Sequence, residues 1–268
     1  MKRALRVIVL LLMLHCQTGY SWSLEEHKIM AYIAEEHLTA NTKEFLAKYL
    51  DQSIVEYANW MDFYRNSPGY EKTTKWHMVT VGADGLSFPE GHEGQAAQAL
   101  ERTCEILANY REYNDSTVHI NLVFLMHLVP EIHCPAHYYF LEFGDDDQTK
   151  NYTFMPVVYE GVADTYHHIW DSAPTLTQKD ANLDGSKAYY DIWDDATRKL
   201  VSDGGPRAWL EDNAKRIRKI YQWIQPNQAI DVQFLLKHKD FIDMQVRLGA
   251  ARLERILNDL FDTWKERE

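Results

Sequence analysis

Apolar residues recur at intervals of three and four along most of this 268-residue chain, the spacing of helices that bury one face. Ile29, Ala31, Ile33, Ala34 and Leu38 mark a first helix. The same spacing predicts helices over 96–110 and 118–128. It returns over 208–223 and 234–264, where Lys, Arg, Asp and Glu occupy the opposite face. Charge clusters such as Arg252, Glu254 and Arg255 read as part of that solvated face. Trp76 to Val81 is the one short strand-like run, followed by a loop through Gly94. Gly144 and the acidic run Asp145, Asp146 and Asp147 open a long polar loop. The pattern predicts an all-α protein with few or no strands.

The first residues break this pattern. Lys2, Arg3 and Arg6 precede an apolar run from Val7 to Leu14 that is too short to span a bilayer. Gly19, Tyr20 and Ser21 close it with residues suited to cleavage before Trp22. Residues 1–21 therefore read as a signal peptide, which places the mature protein outside the cytoplasm, secreted or periplasmic. Cys16 raises a lipoprotein signal, but His15 stands where such signals need a small residue. No later stretch predicts a membrane anchor.

Cleavage there leaves 247 of the 268 residues, enough for one large core. Neither an internal repeat nor a Pro/Gly/Ser-rich linker divides residues 22–268, which read as a single domain. The net charge of −12 becomes −15 once Lys2, Arg3 and Arg6 are gone. Such a chain does not hold a polyphosphate by charge alone, although bound divalent cations would reverse the local sign. Only Cys104 and Cys134 survive cleavage. Export permits a disulfide between them, and two buried thiols are the equal alternative. Asn114-Asp-Ser116 and Asn151-Tyr-Thr153 fit glycosylation in a eukaryotic host.

The chemistry sits in the histidines, of which there are twelve. His127 and Glu131 are four apart, as are His167 and Asp171. That spacing puts both side chains on one helical face, where they can share an ion. His133 and His137 are also four apart, with Pro135 bending the backbone between them. A single His/acid pair is ordinarily a surface ion pair or a satisfied core histidine. Two pairs, together with Asp62 and His77, in apolar settings such as Phe124-Leu-Met-His127-Leu-Val129, are costly to bury without a partner. Imidazole with carboxylate suits zinc.

Several segments carry a family resemblance. Trp22-Ser-Leu-Glu-Glu-His27 has the opening Trp and the His five residues on. Ala58-Asn-Trp-Met-Asp62-Phe-Tyr-Arg65 has the form Ala-x-Trp-Ala-Asp-x-x-Arg. Trp76-His77-Met78-Val79 follows, and Phe124-Leu-Met-His127-Leu-Val-Pro130-Glu131-Ile-His133-Cys-Pro135-Ala-His137 matches a long His/Asp motif with changes. His167 to Asp171 supplies His-x-x-Trp-Asp. From Trp22 to at least Asp171 the chain resembles the zinc-dependent S1/P1 nucleases, whose fold and cluster are shared by zinc-dependent phospholipases C.

The resemblance implies a multi-helix fold around three zinc ions. The first would be held by Asp62, His77, His127 and Glu131. The second would be held by the free amine and carbonyl of Trp22, with His27, sharing Glu131. The third would be held by His137, His167 and Asp171. Asp62 would orient a metal-bound water, and Arg65, three residues on, would hold a phosphate oxygen. Single-stranded DNA or RNA, or 3′-nucleotides, would be the substrate and 5′-phosphates the product. No obligate protein partner is implied.

The sequence departs from the family at informative places. Glu131 replaces Asp and Pro130 replaces Gly. Met78 and Thr80 replace an aromatic residue and an acid that hold a nucleobase. The Gly-Gly-Asn loop is missing, with Gly144-Asp-Asp-Asp-Gln nearby. The metal core is thus kept better than the base pocket. A phospholipase C-like phosphodiesterase and a metal-binding homologue without turnover remain alternatives. Finally, Asp180, Asn182, Asp184 and Asp191 approximate a calcium loop, against the simpler reading of a polar turn capping the next helix.

Overall fold

The computed structural model describes residues 24–92, 94–143, 155–178 and 182–267. The signal segment, Trp22, the acidic run 145–147, Asn151 and Asp180 lie outside them. The fold is mainly helical. In chain order the helices are α1 (Leu24–Glu36), α2 (Ala40–Tyr49), α3 (Ile54–Tyr57), α4 (Trp60–Tyr64), α5 (Ala96–Ala108), α6 (Asp115–Glu131) and α7 (Tyr166–Asp171). They continue with α8 (Ala173–Thr177), α9 (Leu183–Tyr190), α10 (Asp195–Val201), α11 (Gly205–Ile217), α12 (Val232–Lys237) and α13 (Lys239–Phe261). Among the described residues no helix is long and apolar enough to cross a membrane.

Helix α6 is the axis of the molecule. Asn114 caps it by accepting from the Thr117 N–H at 2.9 Å. From Asn121 onward every residue is buried, so the helix is apolar all round and is wrapped by others. Helices α1, α5 and α13 pack against it. The crossing of α1 and α13 depends on Gly249, because a Cβ there would lie 2.2 Å from the buried Met30 sulfur.

Five short strands appear among the described residues, in keeping with the few expected of a mainly helical chain: β1 (Val79–Val81), β2 (Tyr138–Phe140), β3 (Pro156–Tyr159), β4 (Val162–Thr165) and β5 (Ala229–Ile230). Strands of two to four residues are too short to show alternation. They nevertheless set the site. Strands β1 and β2 pair in parallel with Val79 opposite Tyr138, so the 3₁₀ turns that feed them, ending at His77 and His137, arrive at the same edge. Strands β3 and β4 form a hairpin turned by Glu160 and Gly161, both at positive φ. Thr165 then caps α7 by accepting from the His168 N–H.

The long helix expected over 234–264 breaks at His238 into α12 and α13. The His238 ring stacks on Trp223 with centroids 3.8 Å apart, and the His238 carbonyl accepts from the Phe241 and Ile242 N–H groups in the first turn of α13. The helix expected over 208–223 starts earlier, where Gly204 at φ 87 turns the chain into Gly205 and Pro206, and ends in a 3₁₀ turn over Arg218–Gln222.

Candidate metal centre

Six elements bring acidic and imidazole side chains to one buried region. α1 supplies His27, α4 supplies Asp62, the turn before β1 supplies His77, and α6 supplies His127 and Glu131. The turn before β2 supplies His137, and α7 supplies His167 and Asp171. Three groups of potential ligand atoms result, each within 4.8 Å of one another: His27, His127 and Glu131; Asp62, His77 and His127; and Cys134, His137 and Asp171.

Glu131 lies at the centre, fully buried. Its Oε2 is 3.2 Å from His27 Nε2 and 3.8 Å from His127 Nε2, and its Oε1 is 2.9 Å from His137 Nδ1. The His27 and His127 rings stack face to face with centroids 4.2 Å apart. His77 Nε2 is 3.4 Å from Asp62 Oδ1. On the other side, His137 Nε2 is 3.0 Å from both His167 Nε2 and Asp171 Oδ1, and His167 Nε2 is 3.1 Å from Asp171 Oδ2.

These separations run from 2.9 to 3.8 Å, close to the roughly 3.3–3.8 Å between ligand atoms held about 2.0–2.3 Å from a tetrahedral zinc. The tautomers fit as well. His127 Nδ1 donates to the Ala58 carbonyl at 2.8 Å and His77 Nδ1 to the Thr73 carbonyl at 2.9 Å. Each backbone carbonyl leaves the Nε2 lone pair facing the group, the arrangement that orients metal-bound imidazoles. Both Nε2 atoms are buried and make no hydrogen bond of their own. Such atoms are costly without a cation to ligate.

Electrostatics agree. Burial, reinforced by the adjacent His27, lowers the His127 pKa to about 3, so its imidazole is neutral and free to ligate at neutral pH. Burial alone would raise the Asp62 and Glu131 carboxyls. The imidazoles around them prevail, His127 and His77 for Asp62 and His137 and His27 for Glu131, and hold both below the usual carboxylate range. Arg65 Nη1 stands 3.8 Å from Asp62 Oδ1. A guanidinium, suited to binding anions, therefore sits close to the Asp62 carboxylate.

The S1/P1 nuclease family model matches residues 22–262. The chain belongs to the S1/P1 nuclease family. It is 26% identical over 207 residues to Nuclease S1 of Aspergillus oryzae, covering 73% of this chain and 69% of that protein. It is also 22% identical over 275 residues to Endonuclease 4 of Arabidopsis thaliana, covering 90% of each. Membership of this nuclease family makes the chain a hydrolase of phosphodiester bonds. Zinc dependence is general in S1/P1 nucleases, and the donor set described above suits it.

Of the residues singled out in the sequence, His27, Asp62, His77, His127, Glu131, His137, His167 and Asp171 converge. Arg65 flanks them, and Trp22 lies outside the described residues. His133 does not join them despite its spacing to His137. Its Nδ1 donates to the Val129 carbonyl at 2.7 Å, and its Nε2 accepts from Arg252 at 3.0 Å. Cys134 is the residue the motif reading overlooked. It forms no disulfide with Cys104. Its Sγ donates instead to Asp171 Oδ1 at 3.3 Å, and burial pushes the thiol well above its ordinary value. Its buried place beside His137 was the missing signal.

Among the described residues, Asn182, Asp184 and Asp191 each have separate partners, as the reading of a polar turn capping the next helix expects. Asn182 caps α9 through the Gly185 N–H, Asp184 accepts from the Tyr32 hydroxyl, and Asp191 binds Arg198 and His37. α9 occupies most of the would-be loop, and a helix cannot wrap a cation as an extended loop does. Thr80, at the position of a family base-binding acid, is buried and accepts from the Gly94 N–H, so it is turned toward backbone.

Proposed function

We propose that the protein is an exported, zinc-dependent endonuclease and 3′-nucleotidase that cuts single-stranded DNA or RNA to leave 5′-phosphates. Three zinc ions would be held by Asp62, His77, His127 and Glu131; by Trp22, His27 and Glu131; and by His137, His167 and Asp171. The single observation that carries this reading is the position of Glu131, buried among three imidazoles from three elements.

Zinc bound there would supply a water acidic enough to attack phosphorus near neutral pH. The chain's own residues do the rest. Asp62 accepts a hydrogen bond from the attacking water and aims it. Arg65 holds a non-bridging phosphate oxygen and offsets the charge that grows on it. Carbonyl-anchored His77 and His127 keep the first group rigid, which avoids reorganisation during the reaction. The N-terminal ligand requires a free α-amine on Trp22, so removal of residues 1–21 would be part of maturation.

A substrate panel tests this. Purified exported protein should hydrolyse single-stranded DNA, RNA and a 3′-nucleotide, prefer single over double strands, and release 5′-phosphate ends. N-terminal sequencing should begin at Trp22. Hydrolysis of phosphatidylcholine alone would replace this reading with a phospholipase C. Bound zinc with no turnover on any of these would leave a metal-binding protein without catalysis.

A further inference from the structure

We propose that Cys134 is a ligand in the third metal group, so that a thiolate joins His137, His167 and Asp171. This rests on the reading that the group holds a metal ion.

The local fold supports it. Residues 135–137 form a 3₁₀ turn opened by Pro135, with the His137 N–H donating to the Cys134 carbonyl at 3.2 Å. Cys134 precedes that turn with extended backbone at φ −67 and ψ 122, and its sulfur lies within 4.8 Å of ligand atoms of both His137 and Asp171. The Cys134 N–H is held in turn by the Glu131 carbonyl at 3.0 Å. The sulfur is fully buried, and it shares a potential ligand group with His137 and Asp171, all three buried. Its 3.3 Å separation from Asp171 Oδ1 is near the edge expected for one sulfur and one oxygen on a tetrahedral zinc, about 3.6 Å. The other thiol, Cys104 on α5, shares in none of the three ligand groups.

On ligation the thiol gives its proton to solvent and the sulfur donates an electron pair to the ion. The set then carries two negative charges, from Cys134 and Asp171, and neutralises a divalent cation. A soft sulfur donor also favours zinc, cadmium or cobalt over hard cations such as magnesium. The third group would thus differ in both charge and selectivity from the imidazole and carboxylate groups beside it.

Cobalt substitution decides the matter. The exported protein is stripped of metal and reloaded with Co²⁺. Bound cobalt per chain, the visible and near-ultraviolet spectrum and circular dichroism are recorded for wild type, Cys134→Ser and Cys104→Ser. We expect an intense sulfur-to-cobalt charge-transfer band in wild type and Cys104→Ser. It should be lost in Cys134→Ser, whose weaker visible bands from the remaining ions persist. Cobalt bound without that band, or a band that survives in Cys134→Ser, overturns the thiolate ligand and leaves the metal reading standing. Failure of wild type to bind cobalt overturns both. If Cys134→Ser does not fold, cadmium-113 resonance of Cys104→Ser decides instead. A strongly downfield, sulfur-bound signal supports the proposal, and signals confined to the nitrogen and oxygen range refute it.

Discussion

Glu131 Oε1 stands 2.9 Å from His137 Nδ1, while Oε2 of the same carboxylate faces His27 and His127. One side chain thus touches both halves of the site. The family's usual aspartate is shorter by one methylene, so this link depends on the substitution. A carboxylate beside Nδ1 favours the proton there and turns the Nε2 lone pair toward His167 and Asp171.

Shortening that side chain separates its two tasks. Glu131→Asp keeps a carboxylate for His27 and His127 but withdraws it from His137. We expect roughly 10- to 100-fold weaker metal retention in the third group or a comparable loss of activity, with the other ions retained. Glu131→Gln removes the shared charge and should lose more than one ion. Metal content and activity measured together separate these outcomes, and equal losses in both variants would refute the division of labour.

Arg65 makes a kinetic prediction. Arg65→Ala should lower kcat about 100- to 1000-fold, the usual cost of removing one donor to a charge that develops in the transition state. Bound metal and thermal stability should stay unchanged. A variant with normal kcat and raised KM would instead mean that Arg65 only gathers substrate.

Acid should unload and weaken the protein. Burial lowers His127 and His133 to about 3, against an ordinary value of 6.5. Both are neutral in the fold, and the unfolded chain takes up protons once the pH drops below 6.5. Stability is therefore complete above that value and falls as the pH moves from 6.5 toward 3, by on the order of 5 kcal/mol for each histidine over the full span. Bound metal should leave as the protein unfolds in this window, because the protonated imidazoles of the unfolded chain cannot ligate. Urea midpoints that do not change between pH 7 and pH 4 would contradict this.

Much of this site could be read from the chain, for reasons visible in single residues. The His127–Glu131 and His167–Asp171 pairs lie within one helix each, so local periodicity suffices to align them. The first helix and the cores of α5, α6, α11 and α13 show the same periodicity. His133 and His137 share that spacing but go opposite ways, since Pro135 ends the helical path and Arg252, 119 residues on, claims His133. Nothing local announces such a partner. The break at His238 likewise depends on Trp223, and the pairing of β1 with β2 joins segments about 60 residues apart. For Cys134 the sequence leaves a disulfide and a buried thiol equally open, and the tertiary structure puts it beside Asp171 as a free thiol.

The Arg252 contact is testable in its own right. Its guanidinium also binds Asp212 and Asn213, and Asn213 and Gln245 hold the carbonyls of Ile132 and His133. This shell fixes the turn that carries Cys134 and His137. Arg252→Leu leaves His133 Nε2 buried with no donor, a cost of about 2 kcal/mol. For a chain of this size that lowers Tm by roughly 4–8 °C. An unchanged Tm would show that the shell does not hold the turn.

If these scattered side chains converge to hold divalent metal, and if cleavage of the phosphodiester depends on it, activity must follow the metal. Elemental analysis of the purified exported protein, with nuclease activity followed during chelation and zinc replacement, tests it most directly. About three zinc ions per chain are expected, with activity lost as they leave and regained as they return. Full activity in a chain with zinc below one equivalent would contradict it.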